Sequence, residues 1–141
     1  MTTARDMMNE GCECIGEHDT LERAAQMMRD QGVGALPICG DDNKLHGIIT
    51  DRDIVVKCIA EGGDPKTKTA GEMAQGKPVT VSDDTDMQEV LETMTGHQIK
   101  RMPVIDHESH QLIGMISEAD LAHHLSDDNL AEFVEKVYGR A

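Results

Sequence analysis

The strongest constraint on the fold is an internal repeat, because two stretches of the chain match at a nearly constant offset. Ala35-Leu-Pro-Ile leads to Leu45-His-Gly-Ile-Ile-Thr-Asp-Arg-Asp-Ile, and Arg101-Met-Pro-Val leads to Leu112-Ile-Gly-Met-Ile-Ser-Glu-Ala-Asp-Leu. The offset is 66 residues from Pro37 to Pro103 and 67 from Gly47 to Gly114. Similarity spread over a whole unit predicts a duplicated architecture.

The sequence pattern of each copy predicts a short helix followed by the element order β-α-β-β-α. Apolar residues follow the helical period in the matching segments Leu21–Met28 and Met87–Met94. Two strands joined by a polar turn come next, and a last helix begins near Asp51 or Glu118. Because a copy of this size buries little apolar surface alone, we expect the two copies to pack through their sheets.

The predicted fold class is therefore α+β, with tandem repeats arranged as a pseudo-two-fold pair. The first repeat, with its short leading helix, spans residues 1–64, and the second spans residues 65–125. Residues 126–141 are predicted to form an acidic amphipathic helix that Ser126 caps. This last helix either packs on its own chain or docks on a partner subunit.

Charge and composition exclude several kinds of partner. The 141 residues carry 13 Lys and Arg against 27 Asp and Glu, a formal net charge of −14. Such a chain repels nucleic acid and anionic membranes, both of which attract proteins through basic residues. No apolar stretch approaches the roughly 20 residues that span a bilayer, and the first residues resemble no export signal. We expect a soluble, cytoplasmic protein that binds neither nucleic acid nor membrane.

Both copies carry the pattern Gly-φ-φ-[Thr/Ser]-x-x-Asp, in which φ is apolar. Its members are Gly47, Thr50 and Asp53 in the first copy and Gly114, Ser117 and Asp120 in the second. A hydroxyl followed three residues later by an acid is typical of a helix capping box, which needs no ligand. The same geometry offers backbone N–H groups to a phosphate and a carboxylate to a ribose, while glycine permits close approach. The presence of two matching copies favours a ligand site.

These motifs, with the apolar-Pro-apolar segments, resemble paired CBS (cystathionine β-synthase) domains, also called a Bateman module. The segments around Gly34–Asp42 and Thr50–Ile54 are similar to the small stand-alone hypoxic-response proteins of that family. The resemblance implies a cleft between the repeats that binds AMP, ADP, ATP or S-adenosylmethionine.

The resemblance also assigns roles to individual residues. Asp53 and Asp120 would hold ribose, and Thr50 and Ser117 would contact ribose or phosphate. Lys100 and Arg101 would bind phosphate at the second copy, with Arg52 as a further cation near the first motif. The first copy has Ala35 where the second has Arg101, which favours the second copy as the phosphate site.

Two functions follow, and neither is enzymatic. The first is a regulatory module that binds an adenosine-containing small molecule. The second is a stress-response interaction protein with the same fold that has lost nucleotide binding, contacts a target protein not identifiable from sequence, and responds to redox state through cysteines. No nucleophile stands beside a base at a recognisable spacing, and no phosphate-binding loop is present, so no catalytic residue is assigned. The resemblance further implies a homodimer formed through helices.

The four cysteines permit three interpretations. Free buried thiols are the default in a reducing compartment. Cys14 and Cys39 end neighbouring predicted strands of one copy, where a disulfide can form, as expected for hypoxic-response relatives. Cys12, Cys14 and Cys39 with a histidine would supply four zinc ligands, but the spacing matches no standard zinc motif. The histidines are expected to be solvated, and no metal site or required cofactor is predicted.

Overall fold

The computed structural model describes residues 2–10, 13–74 and 78–139 of the chain. In chain order the helices are α1 (Ala4–Met7), α2 (Leu21–Gln31), α3 (Asp51–Asp53), which a π-helical segment Ile54–Ile59 continues, α4 (Ala70–Met73), α5 (Met87–His97), α6 (Glu118–His124) and α7 (Asp127–Tyr138). The strands are β1 (Asn9–Glu10), β2 (Ile15–Gly16), β3 (Ala35–Cys39), β4 (Leu45–Thr50), β5 (Val81–Ser82), β6 (Met102–Ile105) and β7 (Leu112–Ile116). The protein therefore has the predicted α+β composition.

The strands form two sheets, one for each repeat. The first-repeat sheet has the order β2-β3-β4, with β2 parallel to β3 and β3 antiparallel to β4. The second-repeat sheet has the order β1-β7-β6-β5, with β5 parallel to β6 and β6 antiparallel to β7. The matching strand directions confirm the duplication that the sequence predicts. Strand β1, which pairs antiparallel with β7, was not predicted.

The two compact units do not follow the linear order of the repeats. One unit combines the first eleven residues with residues 79–141, and the other comprises residues 12–78. Helix α1 packs against β7 and α6, whereas α4 packs against β2 and β4. Each leading helix thus joins the sheet of the other copy, so the boundaries 1–64 and 65–125 describe the sequence repeats rather than the compact units.

Corresponding backbone hydrogen bonds fix each leading helix to its sheet. The N–H of Ala4 donates to Thr85 O (2.8 Å), and the N–H of Ala70 donates to Asp19 O (2.8 Å). One residue later, Arg5 N donates to Asp83 O (3.0 Å) and Gly71 N donates to Glu17 O (2.8 Å). These bonds identify Arg5 and Gly71 as structurally equivalent positions.

The amphipathic helices bury their apolar stripes inside their own units. On α2 the buried residues are Leu21, Ala24, Met27 and Met28, and on α5 they are Val90 and Met94. Burial of one such Leu or Met side chain contributes about 1.5–3 kcal/mol. The stripes are confirmed at Leu21, Ala24, Met28, Val90 and Met94, which are buried in the cores, whereas Ala25, in the middle of the first stripe, is exposed.

The C-terminal segment packs on its own chain. Ser126 caps α7 by accepting a hydrogen bond from Asn129 N (3.3 Å), as the sequence predicts. Phe133 and Val137 are 3% and 6% exposed and lie in the same core as α5. Of the two interpretations of this segment, packing within the chain is the one observed. No helix among the described residues is both long and apolar enough to cross a membrane.

Candidate functional site

The first-copy motif lies where β4 runs into α3. Thr50 is the N-cap residue: its Oγ1 accepts from Asp53 N (3.1 Å), and its own N–H donates to Asp53 Oδ2 (3.0 Å). The other carboxylate oxygen, Oδ1, lies 3.2 Å from the ammonium of Lys57, and about a fifth of the Asp53 side chain is exposed. Arg52 is exposed, and its backbone N–H donates to Asp51 Oδ1 (2.8 Å). Thr50 and Asp53 therefore form the predicted capping box, and the ammonium of Lys57 lies at the second carboxylate oxygen of Asp53.

The second-copy motif has the same backbone geometry but a more enclosed carboxylate. Asp120 is 9% exposed, and its Oδ2 accepts from Ser117 N (2.8 Å) and Ser117 Oγ (3.0 Å). The side-chain amide of Asn9, on β1, donates to both Asp120 oxygens at 2.7 and 3.0 Å. Asn9 was not identified from the sequence, because only the exchange of the leading segments brings it to this motif.

The motif glycines accommodate the chain itself. A Cβ atom at Gly47 would lie 3.1 Å from Ala74 Cβ, just after α4. A Cβ atom at Gly114 would lie 2.8 Å from Met8 Cγ and 3.0 Å from Asn9 O. In both copies the segment after the leading helix makes the close approach that the sequence assigned to a ligand.

The two cations predicted at the second copy lie at one end of the β6–β7 hairpin. Met102 pairs with Ile116, so Arg101 and Ser117 flank the same end of the two strands. In the first copy Ala35 pairs with Thr50 at the equivalent position. The second copy therefore has Arg101 beside Ser117 at this end of its hairpin, where the first copy has Ala35 beside Thr50.

Lys100, the residue before Arg101, contacts the last residue of helix α7. The ammonium of Lys100 lies 4.2 Å from the ring centroid of Tyr138, within cation–π range. The Tyr138 hydroxyl donates to the Glu118 carboxylate, and this bond raises the pKa of the tyrosine. Arg101 is half-buried, so the two cations differ in their surroundings.

Cys14 and Cys39 form a disulfide with a Cα–Cα distance of 5.6 Å. Cys14 immediately precedes β2 and does not end a strand as predicted, whereas Cys39 is the last residue of β3, with which β2 pairs in parallel. Cys58 is a free thiol buried in the core, and Cys12 lies outside the described residues. In the oxidised form, therefore, Cys14 and Cys39 are not available as zinc ligands.

Two clusters of metal-ligand-type side chains occupy equivalent places in the two copies. They are Glu17, His18 and Asp41 in the first and Asp83, Asp84 and His107 in the second. Each position in one cluster is 66 residues from its counterpart, the offset of the repeat. Sequence reasoning missed both clusters, although extending the repeat alignment to charged positions would have found them.

In the second of these clusters, Asp83 forms ion pairs with both Arg5 and His107. Asp83 Oδ2 accepts from Arg5 Nη2 (2.6 Å) and Nε (3.1 Å), while Oδ1 accepts from the backbone N–H of His107 (3.0 Å) and contacts its Nδ1 (2.8 Å). Hydrogen bonds from His107 and Arg5 hold the pKa of Asp83 well below its usual range. The Asp83 carboxylate raises the pKa of His107 in turn, so this histidine is not simply solvated.

Comparison with known proteins identifies relatives along nearly the whole chain. The family model for the CBS domain matches residues 4–59 and 70–127. Hypoxic response protein 1 of Mycobacterium tuberculosis (strain ATCC 25618 / H37Rv) is 52% identical over 137 residues, which cover 97% of this chain and 94% of that protein.

Solved structures show the same fold. A crystal structure of Hypoxic Response Protein I with two coordinated zinc ions has a TM-score of 0.81 and 54% identity, covering 89% of this chain and 100% of that one. CBSX2 in complex with AMP has a TM-score of 0.74 at 20% identity, over 87% of this chain and 95% of that one. The CBS domain pair of MJ0100, in complex with 5′-methylthioadenosine and S-adenosyl-L-methionine, has a TM-score of 0.76 at 24% identity, over 87% and 94%.

Proposed function

The chain belongs to the CBS domain family, and from that premise we propose that it is a non-catalytic regulatory module that binds an adenosine-type ligand. The ligand class comprises AMP, ADP, ATP and S-adenosylmethionine. The observation that carries the proposal is the duplicated hydroxyl and carboxylate at two helix starts, Thr50 with Asp53 and Ser117 with Asp120.

The two copies support different parts of such a ligand. Asp53 keeps one oxygen directed to Lys57 and is partly exposed, so it can exchange this ion pair for ribose hydroxyls. Arg101, flanking Ser117 at the end of the hairpin, supplies a cation for a phosphate. The two folds that bind AMP and S-adenosyl-L-methionine add support at the level of architecture.

Thermal unfolding with a panel of AMP, adenosine, ATP and S-adenosylmethionine tests this function. A ligand present at 100 times its Kd stabilises the native state by about 2.7 kcal/mol, which raises Tm by several degrees. Asp53→Asn should reduce the shift for every ligand. Arg101→Ala should reduce the AMP shift much more than the adenosine shift, because only AMP carries a phosphate.

The matched control is Arg23→Ala, which removes an exposed arginine from α2 and should leave all shifts unchanged. If no member of the panel changes the Tm of the wild-type chain at millimolar concentration, nucleotide sensing is rejected.

A second candidate is a stress-response protein of the same fold that has lost nucleotide binding. Asn9 already bonds both oxygens of Asp120, which occupies the carboxylate that a ribose would need. The absence of a cation at Ala35 and the net charge of −14 also disfavour phosphates. The relationship to a hypoxic response protein agrees with a stress role, and the Cys14–Cys39 bridge supplies a redox-sensitive group.

Metal binding belongs to this second candidate. The relative at 54% identity was crystallised with two coordinated zinc ions, and the present chain has two clusters of histidine and carboxylate side chains. Histidine nitrogen and carboxylate oxygen are ordinary Zn²⁺ ligands. We therefore include a divalent metal ion, alongside adenosine-type molecules, among the ligands to be tested.

We also propose that the chain forms a homodimer through the π-helical segment Ile54–Ile59. Its side chains Val55, Val56 and Ile59 are 56%, 42% and 55% exposed, which is high for large apolar residues on one short segment. Burial of this segment against its counterpart in a second copy would remove the apolar surface from water.

A further inference from the structure

Tyr138, the last residue of α7, lies at the end of the second-copy hairpin to which the ligand phosphate is assigned above. Strands β6 and β7 end together there. Lys100 and Arg101 directly precede β6, and Ser117 and Glu118 directly follow β7. A side chain of α7 therefore reaches the neighbours of both the candidate cation Arg101 and the motif hydroxyl of Ser117.

Tyr138 contacts one residue on each side of this hairpin end. Its ring centroid lies 4.2 Å from the ammonium of Lys100, and its hydroxyl donates to the Glu118 carboxylate. The face of an aromatic ring attracts a cation at this distance. The positive charge of Arg101 lowers the pKa of Tyr138 against the larger rise that Glu118 causes, so the guanidinium also lies in the neighbourhood of the hydroxyl. Tyr138 thus lies among three charged side chains.

Helix α7 is docked through its core residues rather than through Tyr138. Phe133 and Val137 are 3% and 6% exposed and lie in the second-repeat core. Tyr138 itself is 42% exposed. Its contacts at the hairpin end can therefore break while the helix stays in place.

The equivalent hairpin end of the first copy is built differently. Gly34 stands where the second copy has Lys100, at an offset of 66 residues. Asp51 stands where it has Glu118, and the Asp51 N–H donates directly to Gly34 O (2.9 Å). Residues 60–69, which follow the π-helical segment, form turns rather than a helix, and the chain contains a single tyrosine. The contact between a tyrosine and a lysine therefore belongs to the copy that carries the candidate phosphate cations.

A phosphate bound at this hairpin end would compete with Tyr138 for Lys100. A charge-assisted hydrogen bond from an ammonium to a phosphate is stronger than an exposed cation–π contact. While the ammonium of Lys100 remains on the ring, Arg101 must neutralise the phosphate without it, beside the like charge of Glu118. The ring therefore lowers the affinity for a phosphate and does not affect the affinity for a nucleoside.

We propose that Tyr138 is a specificity-determining residue that withholds Lys100 from the ligand phosphate, so that Lys100 binds a phosphate only after it leaves the ring. This inference deepens the proposed nucleotide function and rests on it. The contact on α7 sets how strongly the module distinguishes a nucleotide from the nucleoside of the same base.

Calorimetric titration with AMP and with adenosine tests the role of Tyr138. Tyr138→Leu should lower the Kd of AMP about two- to fivefold, the strength of an exposed cation–π contact, and should leave the Kd of adenosine unchanged. Tyr138→Phe keeps an aromatic ring for Lys100 and should stay closer to the wild type. Lys100→Ala, added to Tyr138→Leu, should remove the gain in AMP affinity. Val134→Ala is the matched control, because Val134 lies one turn earlier on α7 and is also 42% exposed.

The outcomes separate this inference from the function on which it rests. If the wild type binds AMP and Tyr138→Leu binds it no more tightly, the role of Tyr138 is overturned and the nucleotide function stands. An equal gain for adenosine overturns it as well, since the gain would not depend on the phosphate. If neither ligand binds any of these chains, the nucleotide function is rejected together with this inference. Because Tyr138 is 42% exposed, its replacement is not expected to unfold the chain, which the melting curves of both Tyr138 variants verify.

Discussion

Replacing Asp120 by alanine should destabilise the protein much more than the equivalent replacement of Asp53, although the two residues occupy the same place in the repeat. Asp120 is 9% exposed and accepts four hydrogen bonds, two from the amide of Asn9 and two from Ser117. Asp53 accepts one backbone hydrogen bond, from Thr50, and forms a partly exposed ion pair with Lys57. The expected difference in stability comes from the burial of Asp120 and from its hydrogen bonds with Asn9.

The expected magnitudes follow from these contacts. A hydrogen bond to a charged group contributes about 1.5–3 kcal/mol, whereas the amide of the exposed Asn9 can bond water once the carboxylate is removed. Since the four bonds of Asp120 share one carboxylate, they do not add fully, and we expect a loss of about 3 kcal/mol for Asp120→Ala. A partly exposed capping interaction contributes about 1 kcal/mol, and an exposed ion pair adds between about 0 and 1 kcal/mol. Asp53→Ala should therefore cost about 1 kcal/mol.

Urea denaturation followed by far-ultraviolet circular dichroism measures both losses. A double-mutant cycle with Asn9→Ala isolates the contribution of the amide, and we expect a coupling free energy of about 1–2 kcal/mol between Asn9 and Asp120. The reasoning is refuted if the two aspartate variants are equally stable, or if the Asn9 and Asp120 changes are simply additive.

Three further predictions concern the core, the pH dependence and the assembly. Phe133→Ala should lower the free energy of unfolding by about 3–5 kcal/mol, measured by urea denaturation, because it empties a buried site that anchors α7. His107 has a raised pKa in the folded protein, so its pairing with Asp83 stabilises the fold fully below the unfolded pKa of about 6.5. That stability is lost as the pH rises through the folded pKa. His107→Gln should therefore flatten the fall in Tm between pH 6 and 8. Val55→Asp combined with Ile59→Asp should convert the dimer to a monomer in light scattering, and a wild-type monomer would contradict the proposed dimer.

The repeat predicted the local structure well because both copies share the same pattern of buried and exposed positions. Helix starts at Asp51 and Glu118 and the cap at Ser126 follow from side chains that act within one turn of the backbone. The buried faces of the amphipathic helices could also be predicted, because the period of the apolar residues determines which face is buried. These features depend on neighbours in the sequence, which an amino-acid sequence displays directly.

The features that could not be predicted depend on which sheet a segment joins. The exchange of α1 and α4 between the copies is invisible in a linear repeat, and with it the approach of Asn9 to Asp120 and of Arg5 to Asp83. The motif glycines illustrate the same limit. Their lack of a side chain predicted a close approach correctly, but the approaching group is the chain after the leading helix.

The equivalent positions of the two copies have diverged in charge, and this divergence bears on function more than the shared pattern does. The second copy has Arg101 where the first has Ala35, and the leading helix that packs on the second-repeat sheet has Arg5 where the leading helix on the first-repeat sheet has Gly71. Both changes place cations in the unit that contains the second-repeat sheet, where Arg5 forms an ion pair with Asp83. The first copy instead keeps its carboxylates without a guanidinium.

The disulfide is also confined to the first copy, since the positions equivalent to Cys14 and Cys39 are Thr80 and Ile105. The cross-link joins the residue before β2 to the last residue of β3, close to Glu17 and Asp41, whereas in the second copy strand pairing alone joins β5 to β6. The disulfide therefore lies close to the Glu17, His18 and Asp41 cluster, in which no arginine pairs with the carboxylates of the described residues. In this duplicated fold, substitutions made in matched pairs, one in each copy, separate what the repeat needs in order to fold from what each copy binds.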